Sequence, residues 1–364
     1  MSDPAELRKV LVFYTGGTIG MKRNDHGVLV PASDVFVKKI RSCPELHDPE
    51  LAEAYCVREH ELITKIPSCP GPITYQVREY HPLLDSSNVS PREWVIIAKN
   101  IQENYNEFDG FVVLNGTDTL AYTSSILSFM FKNLAKPVVI TGAQISIFED
   151  PSDAKMNILS SLTFAGCSDI PEVCVYFGSK LMRGNRVRKV HTSQLDAFES
   201  LNYPVLAETG MHSRIHRGNT LQKSERGPLI IHNKLCEAVG VLFIFPTLTR
   251  TQLLSFLEPT LEGVVLVTYG SGNIPSHRQD LLDVLRNAVG RGIVVVNVTQ
   301  CARGPVSVSY ETGRCLQEIG VVSGHDITIE AAYAKLVVVC GMVRTSEERT
   351  ELMKQVLRGE MTLL

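Results

Sequence analysis

The sequence predicts an α/β protein in two parts. A larger N-terminal domain has a mostly parallel sheet flanked by helices, and a smaller C-terminal α/β domain has a parallel sheet of its own. Three observations carry this prediction. Short, nearly continuous β-branched runs recur along the chain, the pattern of strands buried on both faces. Helical patterns fall between those runs, as alternating α/β architecture requires. The length of 364 residues is roughly that of two ordinary domains.

Taken in order, the first part offers strands at Lys9–Tyr14, Gly110–Leu114, Pro137–Thr141 and Glu172–Phe177. A helix from Pro91 to Tyr105 starts with Ser90 as N-cap, Pro91 at the first position and Glu93 at the third, a capping box. The second part offers strands at Val239–Ile244, Gly263–Val267 and Gly292–Asn297. Between the last two, Ser276–Val289 lines Leu281, Leu282, Val284 and Leu285 along one helical face. The stretch Ser213–Lys234 breaks the rhythm with Arg, His, Lys, Gly218 and Gly227-Pro228. It reads as a link (213–234) between domains at 1–212 and 235–364.

Composition excludes several classes. The chain has 36 basic and 39 acidic side chains, a formal charge of −3, which is too balanced for a nucleic-acid partner. One Trp and 7% aromatics leave little base-stacking surface. Apolar runs such as Val241–Phe245 are too short to span a bilayer, and Met1-Ser2-Asp3-Pro4 does not open a secretory signal, so no membrane association is expected. The nine cysteines are odd in number and include no C-x-x-C pair. This predicts reduced thiols, a cytoplasmic setting and no zinc site.

Ligands of parallel sheets gather at the carboxyl ends of the strands. Four strand ends here carry unusual polar sequence: Thr15-Gly16-Gly17-Thr18-Ile19-Gly20, Asn115-Gly116-Thr117-Asp118-Thr119, Thr141-Gly142-Ala143-Gln144 and Tyr269-Gly270-Ser271-Gly272-Asn273. The first is not a P-loop, because no Gly-Lys-Ser/Thr follows, and it lacks the first glycine of a dinucleotide fingerprint. Its glycines suit a tight turn presenting Thr18 and backbone N–H groups, with Met21–Pro31 beyond it as a lid. A threonine hydroxyl needs a neighbouring base to become a nucleophile. Asp118 beside Thr117, with Lys189 of the run Arg183–Lys189, would make a Thr–Lys–Asp set. Blander readings stand beside these: Gly-Thr-Asp-Thr as a helix cap, Arg183–Lys189 as a solvated basic loop, and Thr18 as a turn hydroxyl.

Together these segments resemble the bacterial-type L-asparaginase family in its cytosolic type I branch, and the asparaginase domain of animal asparaginase/60 kDa lysophospholipase proteins. Tyr14–Met21 is similar to the first family signature and Leu114–Ala121 to the second, with Asn115 where the family usually has His. Asp85-Ser86-Ser87-Asn88 resembles the family's Asp-Ser-Ser-Asp segment, and Arg183–Arg186 followed by Lys189 also matches. The resemblance implies hydrolysis of L-asparagine to L-aspartate and ammonia through a covalent acyl-threonine. It makes Thr18 the acyl-accepting nucleophile and Thr117, Asp118 and Lys189 a second, rigid triad. Ser86, flanked by Asp85, would hold the substrate carboxylate and Asp118 its amino group. Asn273 would come from a neighbouring subunit of a homodimer or homotetramer. No cofactor or metal is implied. Backbone N–H groups near Thr18 and Thr117 are the candidate oxyanion donors.

Two departures from the family pattern bear on these roles. Type I relatives often carry a Tyr after the lid glycine, where this chain has Gly27-Val28, and Tyr310 is the expected replacement. Cys301 matches an effector-site position, but Val267 stands at that site's Arg position, so an effector site of that form is not expected. The alternatives are a glutaminase-asparaginase, a lysophospholipase-type acyl hydrolase, and a non-catalytic amino-acid-binding protein on the same fold.

Overall fold

The computed structural model describes residues 7–211, 213–223, 227–258, 260–307 and 311–363. They form two compact units, the first running to Ile231 except for Leu201–Tyr203, which joins the second. The division at Ile231/His232 falls inside the stretch read as a link. The start of that stretch, Ser213–Ile215, is an edge strand of the first unit's sheet, antiparallel to Ala207–Thr209.

The first unit is built on a nine-stranded sheet. Its centre is parallel, with Ile73–Leu84, Arg8–Gly16, Gly110–Leu114, Val138–Thr141 and Val173–Phe177 side by side. Antiparallel strands extend it: Leu62–Thr64 at one edge, and Lys180–Arg183, Ala207–Thr209 and Ser213–Ile215 at the other. The predicted runs are strands because they are apolar on both faces, and Val10–Tyr14, Phe111–Leu114 and Val138–Ile140 are fully buried. The helix Pro91–Glu103 forms with the complete Ser90–Glu93 capping box and buries Trp94, Ile97, Ala98 and Ile101.

The basic run around Arg183 is not a solvated loop. Arg183 lies on the strand Lys180–Arg183, is 3% exposed, and pairs with Glu172 through Nε–Oε2 at 2.5 Å. The Glu172 carboxylate also accepts the Leu221 N–H, and Arg183 donates to the Asn219 carbonyl, so neither charge is left bare. The expectation of reduced thiols throughout is also corrected. Cys69 and Cys167, 98 residues apart, form a disulfide that ties the loop before Ile73 to the end of the helix Ala154–Cys167. Such a pairing is set by tertiary proximity, which cysteine spacing alone does not reveal.

The second unit carries a four-stranded parallel sheet in chain order, Val239–Phe243, Gly263–Thr268, Val294–Thr299 and Val322–Ser323. The helix Gln279–Gly290 buries the predicted Leu281, Leu282, Val284 and Leu285 in its core. The helix Ile329–Met342 is buried along most of its length and includes Lys335, whose ammonium meets Glu360 at 2.7 Å and donates to the Met353 and Gln355 carbonyls. No described helix is long and apolar enough to cross a membrane.

Candidate active site

Strand order places the site. From Arg8–Gly16 the chain leads to Ile73–Leu84 on one side, and from Gly110–Leu114 it leads to Val138–Thr141 on the other. Adjacent parallel strands whose connections part in this way leave a crevice at their carboxyl ends. The register sets Tyr14 opposite Leu114 and Leu114 opposite Thr141, so three of the four polar strand ends leave the sheet at one level.

Glycines let these ends touch. A side chain on Gly16 would run into the Leu84 carbonyl, one on Gly17 into Gly116, and one on Gly142 into the Asn115 carbonyl. A Cβ on Gly116 would lie 2.5 Å from Ser86 Oγ. Gly17 adopts φ 87°, a left-handed value that favours glycine, and its N–H donates to the Leu84 carbonyl at 3.2 Å. The turn bearing Thr18, the turn bearing Thr117, and Ser86 therefore meet with only main chain between them.

Lys189 closes the cluster. It ends the strand Val187–Lys189, which pairs with Phe198–Ser200. Its Nζ donates to Thr117 Oγ1 at 2.9 Å and to Asp118 Oδ1 at 2.7 Å. Thr117 is buried, whereas the Asp118 side chain is 64% exposed, leaving carboxylate surface for a ligand. The cap reading of Gly-Thr-Asp-Thr finds no support. Thr119 is the N-cap of the helix Leu120–Met130, no side chain makes the capping bond, and the Thr119 hydroxyl donates instead to the Ser86 carbonyl at 2.9 Å.

Thr18 begins the short 3₁₀ turn Thr18–Gly20 and is half-buried. Beyond it, Met21–Arg23 and Leu29–Pro31 form a β-hairpin, so the segment read as a lid is ordered structure. It is held by Arg23 Nε to Glu149 Oε1 at 2.6 Å, by the Ser146 hydroxyl on the Met21 carbonyl, and by the Ile147 N–H on the Ile19 carbonyl. Val28, at the hairpin's turn, is 57% exposed. Asp85 turns its carboxylate onto the Ser87 N–H, capping the turn Ser86–Asn88 and orienting Ser86. Asn273 lies in the second unit, in a tight turn where its N–H donates to the Tyr269 carbonyl at 2.7 Å. Tyr310 falls outside the described residues.

Two residues without a role in the sequence reading support the cluster. Gln144 Nε2 donates to the Thr192 and Gln194 carbonyls at 3.2 and 3.0 Å, pinning the chain just after Lys189. Asp153 accepts the N–H groups of Gln144 and Ile145 at 3.0 and 2.9 Å, and so holds that strand end. The polar tail of the strand, Thr141-Gly142-Ala143-Gln144, was the only signal for either. Among the described residues, one group could hold a cation: Asp34, Glu79 and His81 bring donors within 4.8 Å of one another, and none belongs to the threonine cluster.

Fold and site together define a two-domain α/β protein with a threonine–lysine–aspartate cluster at the switch point of its larger sheet. Residues 9–225 match the family model for the asparaginase N-terminal domain, and residues 238–353 match that for the glutaminase/asparaginase C-terminal domain. The chain belongs to the asparaginase family. It is 42% identical to an L-asparaginase of Dirofilaria immitis and 43% identical to the 60 kDa lysophospholipase of Mus musculus, in each case over 98% of this chain. It spans 61% and 63%, respectively, of the length of those two relatives. The solved structure of L-asparaginase I from Vibrio cholerae superposes with a TM-score of 0.86 at 38% identity, covering 98% of this chain and all of that one.

Proposed function

We propose that the chain hydrolyses L-asparagine to L-aspartate and ammonia through an acyl-threonine ester. The observation that carries this reading is Lys189 Nζ bonded at once to Thr117 Oγ1 and Asp118 Oδ1, beside the Gly17–Thr18 turn. Thr18 Oγ attacks the side-chain amide carbon, the C–N bond breaks, and ammonia leaves with the proton. Water then attacks the ester carbon and passes a proton to the Thr117–Lys189 pair; the bond from that carbon to Thr18 Oγ breaks, the proton passes on to Thr18 Oγ, and aspartate departs with Thr18 restored. Ser86 takes the substrate α-carboxylate, and the exposed carboxylate of Asp118 takes the α-ammonium. These are the donor and the anion that a zwitterion demands. Backbone N–H groups of the two turns face the oxyanion. Tyr310 is the proposed partner of Thr18, and full activity in Tyr310→Phe would place that partner elsewhere. Asn273 is proposed to reach the substrate from a neighbouring subunit of a homodimer or homotetramer, which sedimentation of the active enzyme tests.

A second reading, acyl-ester hydrolysis, is supported by the name lysophospholipase that the mouse and human relatives carry. Glutamine differs from asparagine by one methylene, worth about 1–3 kcal/mol in a fitted pocket. Ammonia release from asparagine and glutamine, measured beside fatty-acid release from a lysophospholipid, decides among the three. Ammonia from asparagine is the expected result, and none at millimolar substrate overturns the reading. The cytoplasm is the proposed compartment. Disulfides are rare there, so trapping thiols by alkylation at cell lysis tests both that assignment and the state of Cys69 and Cys167.

A further inference from the structure

The second unit holds a pair of thiols that the proposed reaction does not use. Cys236 precedes the strand Val239–Phe243, and Cys340 lies near the end of the helix Ile329–Met342. The chain at Lys234–Cys236 runs directly against that helix. The Cys236 N–H donates to the Val337 carbonyl at 3.0 Å, and Gly341 has no room for a side chain because the Lys234 carbonyl occupies the place. Residues 337, 340 and 341 share one helical face, so this contact sets the two sulfurs together. Cys340 is buried and Cys236 is half-exposed.

That arrangement makes the outer thiol the reactive one. The hydrogen bond from Cys340 is the largest influence on Cys236. Burial and the Glu262 carboxylate oppose it, while the Ala238 N–H and Arg349 assist it, and the thiol is drawn down to about 7. The Tyr333 hydroxyl also faces this sulfur, and Glu237 in turn faces Tyr333. The same pairing, with burial, pushes Cys340 well up, so it is held as the thiol. Cys56 and Cys301 are more exposed, yet among the described residues neither has a second sulfur bonded to it.

We propose that Cys236 and Cys340 form an oxidant-sensitive dithiol, a modification site that hydroperoxides close to a disulfide. The Cys236 thiolate attacks the outer peroxide oxygen and the O–O bond breaks. The departing oxide takes a proton to leave as water or an alcohol, and Cys236 becomes the sulfenic acid. Cys340 then gives up its proton and attacks that sulfur. The S–O bond breaks, and hydroxide leaves with the proton as water. The dithiol has lost two electrons and the peroxide has gained them. The bond would tie the start of the second unit to its long helix, across 104 residues (340 minus 236) of chain.

The test uses the whole chain, reduced and then titrated with tert-butyl hydroperoxide, with every cysteine followed by peptide mapping. The expected result is a Cys236–Cys340 cross-link at doses that leave Cys56 and Cys301 open to alkylation. In Cys340→Ala, the cross-link gives way to a Cys236 sulfenic acid captured by dimedone. In the wild type, alkylation of Cys236 is half-maximal near pH 7. Cys340→Ala moves that midpoint toward the ordinary thiol value of about 8.5, and Cys340→Ser, which keeps a donor, holds it low. Oxidation of Cys56 or Cys301 before the pair overturns the proposal. So does a Cys236 that proceeds to sulfinic acid without a cross-link. Both results are read on the wild-type chain, so a variant that fails to fold cannot mask them.

Discussion

The two threonines of the site are held in different ways. Thr117 is buried, bonded to Lys189, and rooted between a parallel strand and a helix whose neighbours are themselves pinned by Gln144 and Asp153. Thr18 opens a three-residue turn leading into a hairpin, and among the described residues its hydroxyl has no hydrogen-bond partner. The hairpin's ties to the rest of the unit are few, an ion pair at Arg23 with 57% of that side chain exposed, Lys22 Nζ over the Phe148 ring at 5.0 Å, and two hydrogen bonds at its base. One threonine is built into the scaffold and the other is delivered to it. A two-step acyl transfer suits that division, with the delivered group carrying the acyl chain and the fixed group directing water.

The sharpest way to break this comparison is to stop each step separately. Lys189→Met, Thr117→Val and Thr18→Val should each lower kcat by about a thousandfold or more, with unchanged circular dichroism. Intact-mass spectra of quenched reactions should then differ: Lys189→Met accumulates an aspartyl adduct on Thr18, and Thr18→Val shows none. Adducts in both variants would end the division of labour. Gly116→Ala comes next, because its methyl would press on Ser86 at 2.5 Å. A loss of about 1–3 kcal/mol is expected, seen as a KM raised roughly tenfold or more and a lowered Tm. Gln144→Leu removes two hydrogen bonds to the Lys189 loop and should lower kcat severalfold at nearly constant KM, since such bonds are worth about 1 kcal/mol each. Arg23→Ala should have the smallest effect. It loses an exposed ion pair worth about 0.2–1 kcal/mol, so Tm stays put and kcat falls a few-fold through a looser hairpin.

The parallel core was legible because strands buried on both faces must be apolar, and the Ser90–Glu93 capping box because its two side chains bond locally. The twelve-residue strand Ile73–Leu84, which carries the chain to Asp85 and Ser86, left no such mark. It includes Arg78, Glu79, His81 and Pro82 because much of it is only partly buried, so neither an apolar run nor strict alternation survives. Arg183 shows the opposite error. A run of basic residues reads as solvated until the hairpin that sets Arg183 opposite Cys174 brings Glu172 within reach. Thr18, Thr117, Asp118 and Lys189 were found from motif order. The contact between Lys189 and Thr117 spans 72 residues, and only the fold supplies it.

The meeting of main chain at Gly16, Gly17, Gly116 and Gly142 has a consequence for how such a site can change over time. Any single-base change of a glycine codon that keeps an amino acid but alters it adds at least a Cβ, and at these four positions a Cβ collides with backbone or with Ser86. The floor of the site therefore has no near-neutral neighbours in sequence space. New substrate preferences would have to arise in the surrounding walls, through the hairpin and Asp118, while the floor is inherited unaltered.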